Sequence, residues 1–259
     1  MARRPDSGSR AVALVTGASR RRGIGAAIAL SLARAGWDVA TTCWRAYDQR
    51  MPWGSDPADS AWLRDHIEAA GARTVAVEAD LSLVEAPARV FDGVETAVGP
   101  VTALVLAHTE GVDSDIMTTT VESFDRHFAV NARASWLLVR EFARRFRGTP
   151  GRGRIVALTS DHVAGNVPYG ASKGALDRIV LAAATEFGHD GRGITANVVN
   201  PGPTDTGWMT DDLLAEFARR NPQGRVGQPE DCASLVTFLC SVEGGWINGQ
   251  LVRSDGGFR

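Results

Sequence analysis

The sequence predicts an α/β protein with a parallel seven-stranded sheet and helices on both faces of that sheet. Short apolar runs of strand length, such as residues 11–15 and 101–106, are typical of strands buried on both faces. Segments with helical periodicity separate these runs, and the alternation continues along the chain. The sequence contains no repeat, low-complexity tract or linker, so we expect a single domain over residues 1–259.

The individual elements follow in chain order. We expect strands at residues 11–15, 37–43, 74–77, 101–106, 154–158, 194–199 and 250–252. We expect helices at residues 26–34, 57–70, 84–98, 121–147, 169–187 and 229–240. Residues 46–59 are polar and rich in turn formers, which predicts a surface loop before the second helix. Residues 207–221 have the pattern of a helix between two turns, and we expect them to form a mobile flap.

Composition and charge exclude several classes of protein. The formal net charge of −2 gives no basic field for nucleic acid, and no apolar run approaches the roughly 18 residues of a membrane helix. We therefore expect neither a nucleic-acid partner nor a membrane partner. The three cysteines lack metal-ligand spacing, so we expect no metal site and a reducing, cytoplasmic location. Residues 1–10 lack the apolar core of a signal peptide and are expected to form a flexible extension.

A glycine-rich turn follows the first strand and leads directly into the first helix. Gly17, Gly23 and Gly25 have the spacing G-x5-G-x-G. In a strand–turn–helix unit, backbone N–H groups and the helix N-terminus can receive a pyrophosphate, and a Cβ in the turn would hold the phosphate away. The spacing differs from the familiar G-x-G-x-x-G, so a turn with a purely structural role remains the alternative.

The end of the second strand bears on the choice of cofactor. An acidic residue there commonly binds the ribose 2′-OH of NAD, whereas a nearby arginine accommodates the 2′-phosphate of NADP. This strand ends in Cys43, Trp44 and Arg45 without an acidic residue, and residues 20–22 of the glycine turn are all arginine. We therefore expect NADP(H) to be favoured over NAD(H), with solvated arginines as the alternative.

Lys173 is the only lysine of the chain, and it follows Tyr169 by four residues. On a helix, side chains four residues apart lie on one face, so the ammonium and the phenol can be neighbours. A cation beside the phenol favours phenolate and is expected to lower the tyrosine pKa from about 10. Such a pair could exchange a proton with a carbonyl or an alcohol. The alternative is an ordinary helix start with a solvated lysine.

With these residues placed, the chain resembles the short-chain dehydrogenase/reductase family over nearly its whole length, in particular members similar to 3-oxoacyl-ACP reductases. The resemblance rests on Thr16-Gly17 with Gly23-Ile24-Gly25, Asp80, Asn131, Ser160, Tyr169-x3-Lys173, Asn200-Pro201-Gly202 with Thr206, and Asp255-Gly256-Gly257. It implies a doubly wound Rossmann fold with a nicotinamide cofactor lying across the C-terminal edges of the strands.

The resemblance also implies roles for individual residues. Tyr169 would be the general acid/base, and Lys173 would activate it and bind the nicotinamide ribose. Ser160 would polarise the carbonyl, and Asn131 would hold a proton-relay water. Asp80 would lie at the adenine, and Thr206 near the carboxamide. The full set of implied cofactor contacts is Gly17, Ser19, Arg20, Arg22, Gly23, Ile24, Gly25, Arg45, Asp80, Leu81, Ala107, Tyr169, Lys173, Pro201, Gly202, Thr204 and Thr206.

Three departures from the family pattern concern the site. The glycine turn is two residues longer than usual, and residues 106–109 read Leu-Ala-His-Thr where Asn-Asn-Ala-Gly is expected. The interval between Ser160 and Tyr169 is about four residues shorter than usual, which should change the substrate pocket. His162 lies in this interval and could reach a substrate, or it could simply be packed or solvated.

The sequence thus predicts a cytoplasmic NADP(H)-dependent oxidoreductase that interconverts a ketone or aldehyde with an alcohol. The resemblance implies a homo-oligomer, either a tetramer or a dimer. Residues 108–117, 161–167 and 203–214 are the expected pocket walls, and Trp208, Met209 and Leu213 indicate an apolar component of the substrate. One alternative is an enoyl-thioester reductase, which the glycine spacing resembles. Another is a non-catalytic NADP(H)-sensing or scaffold protein on the same fold.

Overall fold

Seven parallel strands form one sheet in the computed structural model, which describes residues 10–258. The predicted N-terminal extension, apart from Arg10, lies outside the described residues. The strands are β1 Val12–Thr16, β2 Asp38–Cys43, β3 Thr74–Glu78, β4 Val101–Leu106, β5 Arg154–Leu158, β6 Thr195–Asn200 and β7 Leu251–Arg253. Their order is β3-β2-β1-β4-β5-β6-β7. Successive strands are added to one side of β1 up to β3 and to its other side from β4 onwards. The position between β1 and β4 is therefore the topological switch point, where α/β sheets bind ligands.

Nine α-helices are found among the described residues. They are α1 Ile24–Arg34, α2 Arg45–Arg50, α3 Pro57–Ala69, α4 Ala86–Ala97, α5 Val121–His127, α6 Ala134–Arg145, α7 Val167–His189, α8 Asp211–Arg220 and α9 Pro229–Cys240. One apolar core joins the sheet to α4, α6 and α7, and a second joins the opposite face to α1, α3 and α9. This arrangement confirms the predicted doubly wound Rossmann-like fold. None of the helices in residues 10–258 is long and apolar enough to span a membrane.

The seven predicted strands are confirmed to within one residue at each end, and five of the predicted helices to within two. The sixth, at residues 121–147, is interrupted. A π-helical segment, Phe128–Arg133, separates α5 from α6 and carries Asn131. The flap at residues 207–221 contains α8, whose N-cap residue Thr210 accepts a hydrogen bond from the Leu213 N–H at 3.3 Å. The mobility of this flap stays a prediction.

The predicted surface loop at residues 46–59 is wrong in its first half, because Arg45–Arg50 form α2. Six residues are too few for a stable isolated helix, so contacts with other parts of the protein must hold this one in place. Asp48 is buried and accepts a hydrogen bond from the Trp53 indole at 3.0 Å. The Tyr47 hydroxyl reaches the Gly111 carbonyl at 3.4 Å, and Arg50 pairs with Glu110.

Candidate active site

A cavity of about 1510 Å³ lies at the C-terminal ends of the strands, at the switch point between β1 and β4. The glycine turn, α2, the loops after β3 to β6 and the N-terminus of α7 all line it. The sequence-predicted site residues that line the cavity are Gly17, Ser19, Arg20, Gly23, Ile24, Gly25, Asp80, Leu81, Ala107, Ser160, Tyr169, Lys173, Pro201, Gly202, Thr204 and Thr206. Arg22, Arg45 and Asn131 are not part of the lining.

The glycine turn leaves room only for backbone. Gly17 has a φ of +72°, and a Cβ built on it would lie 2.5 Å from the Cα of His108. A Cβ on Gly25 would overlap the carbonyl oxygen of Gly17. Gly23 is the N-cap of α1 and has no side chain that could cap the first N–H groups of the helix. An uncapped helix N-terminus beside a turn without side-chain atoms fits the pyrophosphate of a dinucleotide.

The arginines that were expected at the cofactor phosphate have different partners. The Arg20 guanidinium lies 4.3 Å from the Trp53 ring centroid and donates to the carbonyl oxygen of Thr206. Arg22 pairs with Asp205 at 3.1 Å, outside the cavity lining. Arg45 donates from Nε to Glu78 at 3.0 Å, at the adjacent ends of β2 and β3. Only the first of these three arginines therefore faces the cavity.

Tyr169 and Lys173 lie on the first turns of α7, where Asn166 caps the helix by accepting a hydrogen bond from the Tyr169 N–H at 3.4 Å. The Lys173 ammonium is 5.7 Å from the centroid of the Tyr169 ring and donates to the Leu158 carbonyl at 2.9 Å. Lys173 is only 3% exposed, and burial lowers its pKa to about 8. Tyr169 and Lys173 are thus neighbours at the cavity wall, and the lysine is not solvated.

The expected lowering of the Tyr169 pKa is wrong for this structure. Burial of the phenol raises the Tyr169 pKa, and a hydrogen bond with the Ser160 side chain opposes this without reversing it. Burial disfavours the phenolate because a charged form loses its hydration, and here this effect is larger than any attraction from the ammonium. The Ser160 hydroxyl also accepts from the His162 N–H at 3.2 Å. Tyr169 is therefore protonated at neutral pH and can donate a proton.

Asn131 is buried in the π-helical segment, and its side chain is fully used in hydrogen bonds. Its amide oxygen accepts from the Glu110 N–H at 2.7 Å and from the Thr109 hydroxyl at 3.2 Å. Its amide nitrogen donates to the Glu110 carbonyl and to the Ser172 hydroxyl, both at 2.9 Å. Asn131 thus ties the loop after β4 to α7, immediately behind Tyr169 and Lys173.

His108 stands where the family has its Asn-Asn-Ala-Gly segment, and its ring joins β1 to the π-helical segment. Nε2 lies 3.1 Å from the Val130 carbonyl, which can only accept, so we place the proton on Nε2. Nδ1 then accepts from the Thr16 hydroxyl at 2.7 Å. Burial, with the Lys173 charge adding to it, lowers the His108 pKa to about 3, and the imidazole is neutral. In the altered segment, neutral His108 therefore has a structural role, because its ring connects β1 to the π-helical segment.

Sequence reasoning missed the contribution of α2 to the cavity. Tyr47, Asp48, Arg50 and Trp53 all line the cavity, and Arg50 reaches the loop after β4. The only sequence signal was Tyr47, the one tyrosine of the chain besides Tyr169. A Cβ on Gly111 would lie 3.7 Å from the Tyr47 hydroxyl and 3.8 Å from the Tyr169 ring, so both tyrosines flank the same glycine.

Several aromatic side chains line the cavity besides Tyr169. The His162 ring meets the Tyr169 ring edge to face, with 6.3 Å between centroids. Further apolar side chains in the cavity lining are Val112, Trp208, Met209, Phe217 and Phe258. Leu213, expected at the pocket, is not part of the lining. Among the described residues no cluster of histidine, cysteine and acidic side chains could hold a metal ion.

Comparisons with known proteins place this geometry in context. The family model described as enoyl-(acyl carrier protein) reductase matches residues 17–259. An NADPH-dependent aldehyde reductase-like protein of Arabidopsis thaliana is 36% identical over 262 residues, covering 95% of this chain and 93% of that protein.

Two solved structures show the same likeness. The promiscuous reductase LugOII, which catalyses keto-reduction at C1 during lugdunomycin biosynthesis, has a TM-score of 0.83 and 33% identity, with 96% of this chain and 97% of that chain covered. The landomycin C-6 ketoreductase LanV, solved with bound NADP and rabelomycin, has a TM-score of 0.80 and 32% identity, with 96% of each chain covered.

Proposed function

The chain belongs to the short-chain dehydrogenase/reductase family and is an NAD(P)-dependent oxidoreductase, and we propose that it interconverts a ketone or aldehyde with an alcohol, with NADP(H) as cofactor and Tyr169 as general acid/base. One observation carries this proposal: Tyr169, hydrogen-bonded to Ser160 and next to buried Lys173, lines the same cavity as the glycine turn. The keto-reductions named for LugOII and LanV support the carbonyl–alcohol reaction.

The residues of the chain divide the work as follows. When bound, the nicotinamide cofactor supplies the hydride. The Ser160 hydroxyl orients the substrate carbonyl by donating a hydrogen bond to its oxygen. Tyr169, whose pKa is raised by burial, donates its proton to that oxygen as negative charge develops there. The Lys173 ammonium then stabilises the phenolate that remains on Tyr169. In the oxidative direction the same groups accept the proton.

The preference for NADP(H) is part of the proposal. No acidic residue ends β2 to claim a ribose 2′-OH, and Arg45 stands there instead. Arg45 is paired with Glu78, but both side chains are largely exposed, and surface pairs of this kind contribute about 0–1 kcal/mol. Arg45 does not line the cavity itself, but Cys43 and Trp44 just before it do, so a 2′-phosphate at the end of β2 can replace Glu78 as the partner of Arg45 at little cost. The NADPH named for the Arabidopsis relative and the NADP in LanV support this choice.

Two other functions are possible on this fold, an enoyl-thioester reductase and a non-catalytic NADP(H) sensor. The description of the matched family model favours an enoyl-thioester reductase, yet the tyrosine and lysine of that branch are spaced more widely than Tyr169 and Lys173. A non-catalytic NADP(H) sensor would have no need of a tyrosine, a serine and a buried lysine gathered at one cavity wall. Ser160, Tyr169 and Lys173 all line one cavity, which argues against a non-catalytic sensor.

We also propose that the protein is a single-domain, cytoplasmic homo-oligomer. Trp136 on α6 is 46% exposed, and Trp246 beside β7 is 97% exposed. These are the two regions through which the family commonly associates. Light scattering of the wild-type protein and of Trp136→Arg and Trp246→Arg would test this. A monomeric wild-type protein would overturn the proposal, and a smaller assembly in either variant would locate an interface.

The function is tested by measuring NADPH and NADH binding, followed by NADPH oxidation with ketones, aldehydes, quinones, enones and an enoyl thioester. Bulky aromatic ketones belong in the panel because Trp208, Phe217 and Phe258 line the same cavity as Tyr169. Tighter NADPH binding with carbonyl turnover is the expected result. Turnover of the enoyl thioester alone would favour the first alternative. Binding without turnover would favour a sensor, and no binding would overturn the proposal.

A further inference from the structure

Three ionisable side chains follow each other at four-residue intervals along α7. They are Tyr169, Lys173 and Asp177, all within the helix Val167–His189. Because side chains at i and i+4 lie one above the other on a helix, the carboxylate neighbours the ammonium on the side away from the phenol. The proposed reaction gives no role to Asp177, although it lies one helical turn from the single lysine of the chain.

The surroundings of Lys173 contain little to keep it charged. Its ammonium has left water and has one protein hydrogen bond, to the Leu158 carbonyl at 2.9 Å. The titratable groups that face it are Tyr169 and Asp177 on its own helix and His108 from the loop after β4. His108 is neutral, and Tyr169 is protonated at neutral pH. Within the described chain, Asp177 is therefore the group whose negative charge favours the ammonium.

Asp177 is itself in an unusual position. Its Oδ1 atom is buried without a protein hydrogen-bond partner of normal geometry among the described residues, and so is the Oγ1 atom of Thr159, the residue after Leu158. Burial raises the Asp177 pKa, and the Thr159 side chain and the Lys173 charge oppose this rise without reversing it. A buried carboxylate oxygen that lacks hydrogen bonds is costly unless an opposite charge lies close by. The Lys173 ammonium, with Arg178 as a further cation, supplies that charge.

We propose that Asp177 is a positioning residue of the active site, the half-buried counter-ion that keeps Lys173 protonated beside Tyr169. Asp177 does not touch the reacting atoms and acts only through Lys173. The arrangement extends the pair into a row of phenol, ammonium and carboxylate along α7, and the carboxylate is the member that does not line the cavity. This inference rests on the proposed function for the meaning of a charged Lys173, but its test does not require turnover.

The single lysine permits a direct test. When lysine is the one isotope-labelled amino acid in the full-length protein, the NMR spectrum contains one lysine side-chain signal, and its pH titration belongs to Lys173. The wild-type signal is expected to titrate near pH 8. In Asp177→Asn, loss of the opposite charge should move the midpoint down by about one pH unit or more. Asp177→Glu should restore most of the shift.

A matched control is available on the same helix. Glu186 is exposed on α7, and Glu186→Gln removes the same charge from the same element. Its lysine signal should titrate as in the wild type. An equal midpoint in the wild type and in Asp177→Asn would overturn the inference. If Asp177→Asn does not fold, Asp177→Ser, whose hydroxyl can pair with Thr159, carries the same expectation and the same outcome that overturns it.

Kinetics supply a second readout. The rate at saturating substrate should fall at high pH as Lys173 loses its proton, and in Asp177→Asn this alkaline limb should move down by the same number of pH units as the NMR midpoint. A structural defect alone would lower kcat at every pH without moving the limb. A shifted lysine signal without carbonyl turnover would contradict the proposed function only. Turnover with an unshifted signal would contradict the role of Asp177 only.

Discussion

Arg50 donates two hydrogen bonds to the carboxylate of Glu110, at 2.7 and 2.6 Å, and so joins α2 to the loop after β4. The Glu110 side chain is only 3% exposed, and Arg126 adds a third hydrogen bond at 3.2 Å. The backbone of Glu110 is in turn bonded to the side chain of Asn131. The segment after β2 is thus held to the loop that stands behind the candidate catalytic residues.

We expect Arg50→Met to lower the free energy of unfolding by about 1–3 kcal/mol. Removing one partner of a buried ion pair costs about 3–5 kcal/mol; here the loss is smaller because the Arg50 side chain is 40% exposed and Arg126 remains beside Glu110. Arg45→Met is the matched control, because its pair with Glu78 is exposed and should cost at most about 1 kcal/mol. Urea unfolding followed by tryptophan fluorescence measures both. Equal losses in the two variants would show that the Arg50–Glu110 pair does not hold α2.

Tyr169→Phe should lower kcat by about 10²–10⁴-fold, because a positioned general acid contributes about that much. NADPH binding and the fold should be unchanged, since only one hydroxyl is removed. Tyr47→Phe removes the only other phenol of the chain, whose hydroxyl has a single long hydrogen bond to Gly111. That variant should keep most of the activity. Steady-state kinetics on an accepted carbonyl decide, and retained turnover in Tyr169→Phe would rule out its proposed role.

The two tyrosines also show how far the sequence could go. The spacing of Tyr169 and Lys173 predicted that their side chains are neighbours, because the contact between residues i and i+4 of a helix depends only on local structure. The sign of the Tyr169 pKa shift depends on how deeply the phenol is buried, which segments far along the chain determine. For the same reason the helix at Arg45–Arg50 was not predicted, because its partners Gly111 and Glu110 lie in the loop after β4, about sixty residues away.

The strands were predictable for a related reason. A strand buried on both faces is apolar at nearly every position, as in Val101–Leu106, where Thr102 is the one polar residue, so its ends are visible in the sequence. The contacts of the arginines were not predictable, because their partners lie far away in the sequence. Arg22 pairs with Asp205, which lies 183 residues further along the chain. Sequence reasoning therefore located the glycine turn and left open which guanidinium faces the cavity that this turn lines.

His108 should make the protein sensitive to acid. Its pKa is about 3 in the fold against about 6.5 in the unfolded chain, so the stability that it contributes is fully present above pH 6.5 and is lost as the pH falls towards 3. The complete loss would be about 4–5 kcal/mol. We expect His108→Gln, which cannot titrate, to lose less stability than the wild type between pH 7 and 4.5. Urea unfolding at several pH values measures this, and parallel curves would contradict it.

Gly25→Ala should weaken NADPH binding by about tenfold or more, equivalent to about 1.4 kcal/mol. The added Cβ would overlap the Gly17 carbonyl and lie 3.2 Å from the Cα of Ala18, so the turn must move away from α1. The backbone N–H groups that are offered to the pyrophosphate then move with the turn.

Gly174→Ala is the control, because a Cβ there meets nothing within 4 Å and Gly174 lies inside α7. That variant should bind NADPH normally and gain about 0.5–1 kcal/mol of stability, since alanine favours a helix over glycine. Fluorescence titration with NADPH and urea unfolding distinguish the two. Wild-type affinity in Gly25→Ala would mean that the pyrophosphate does not depend on the close approach of α1 to the glycine turn.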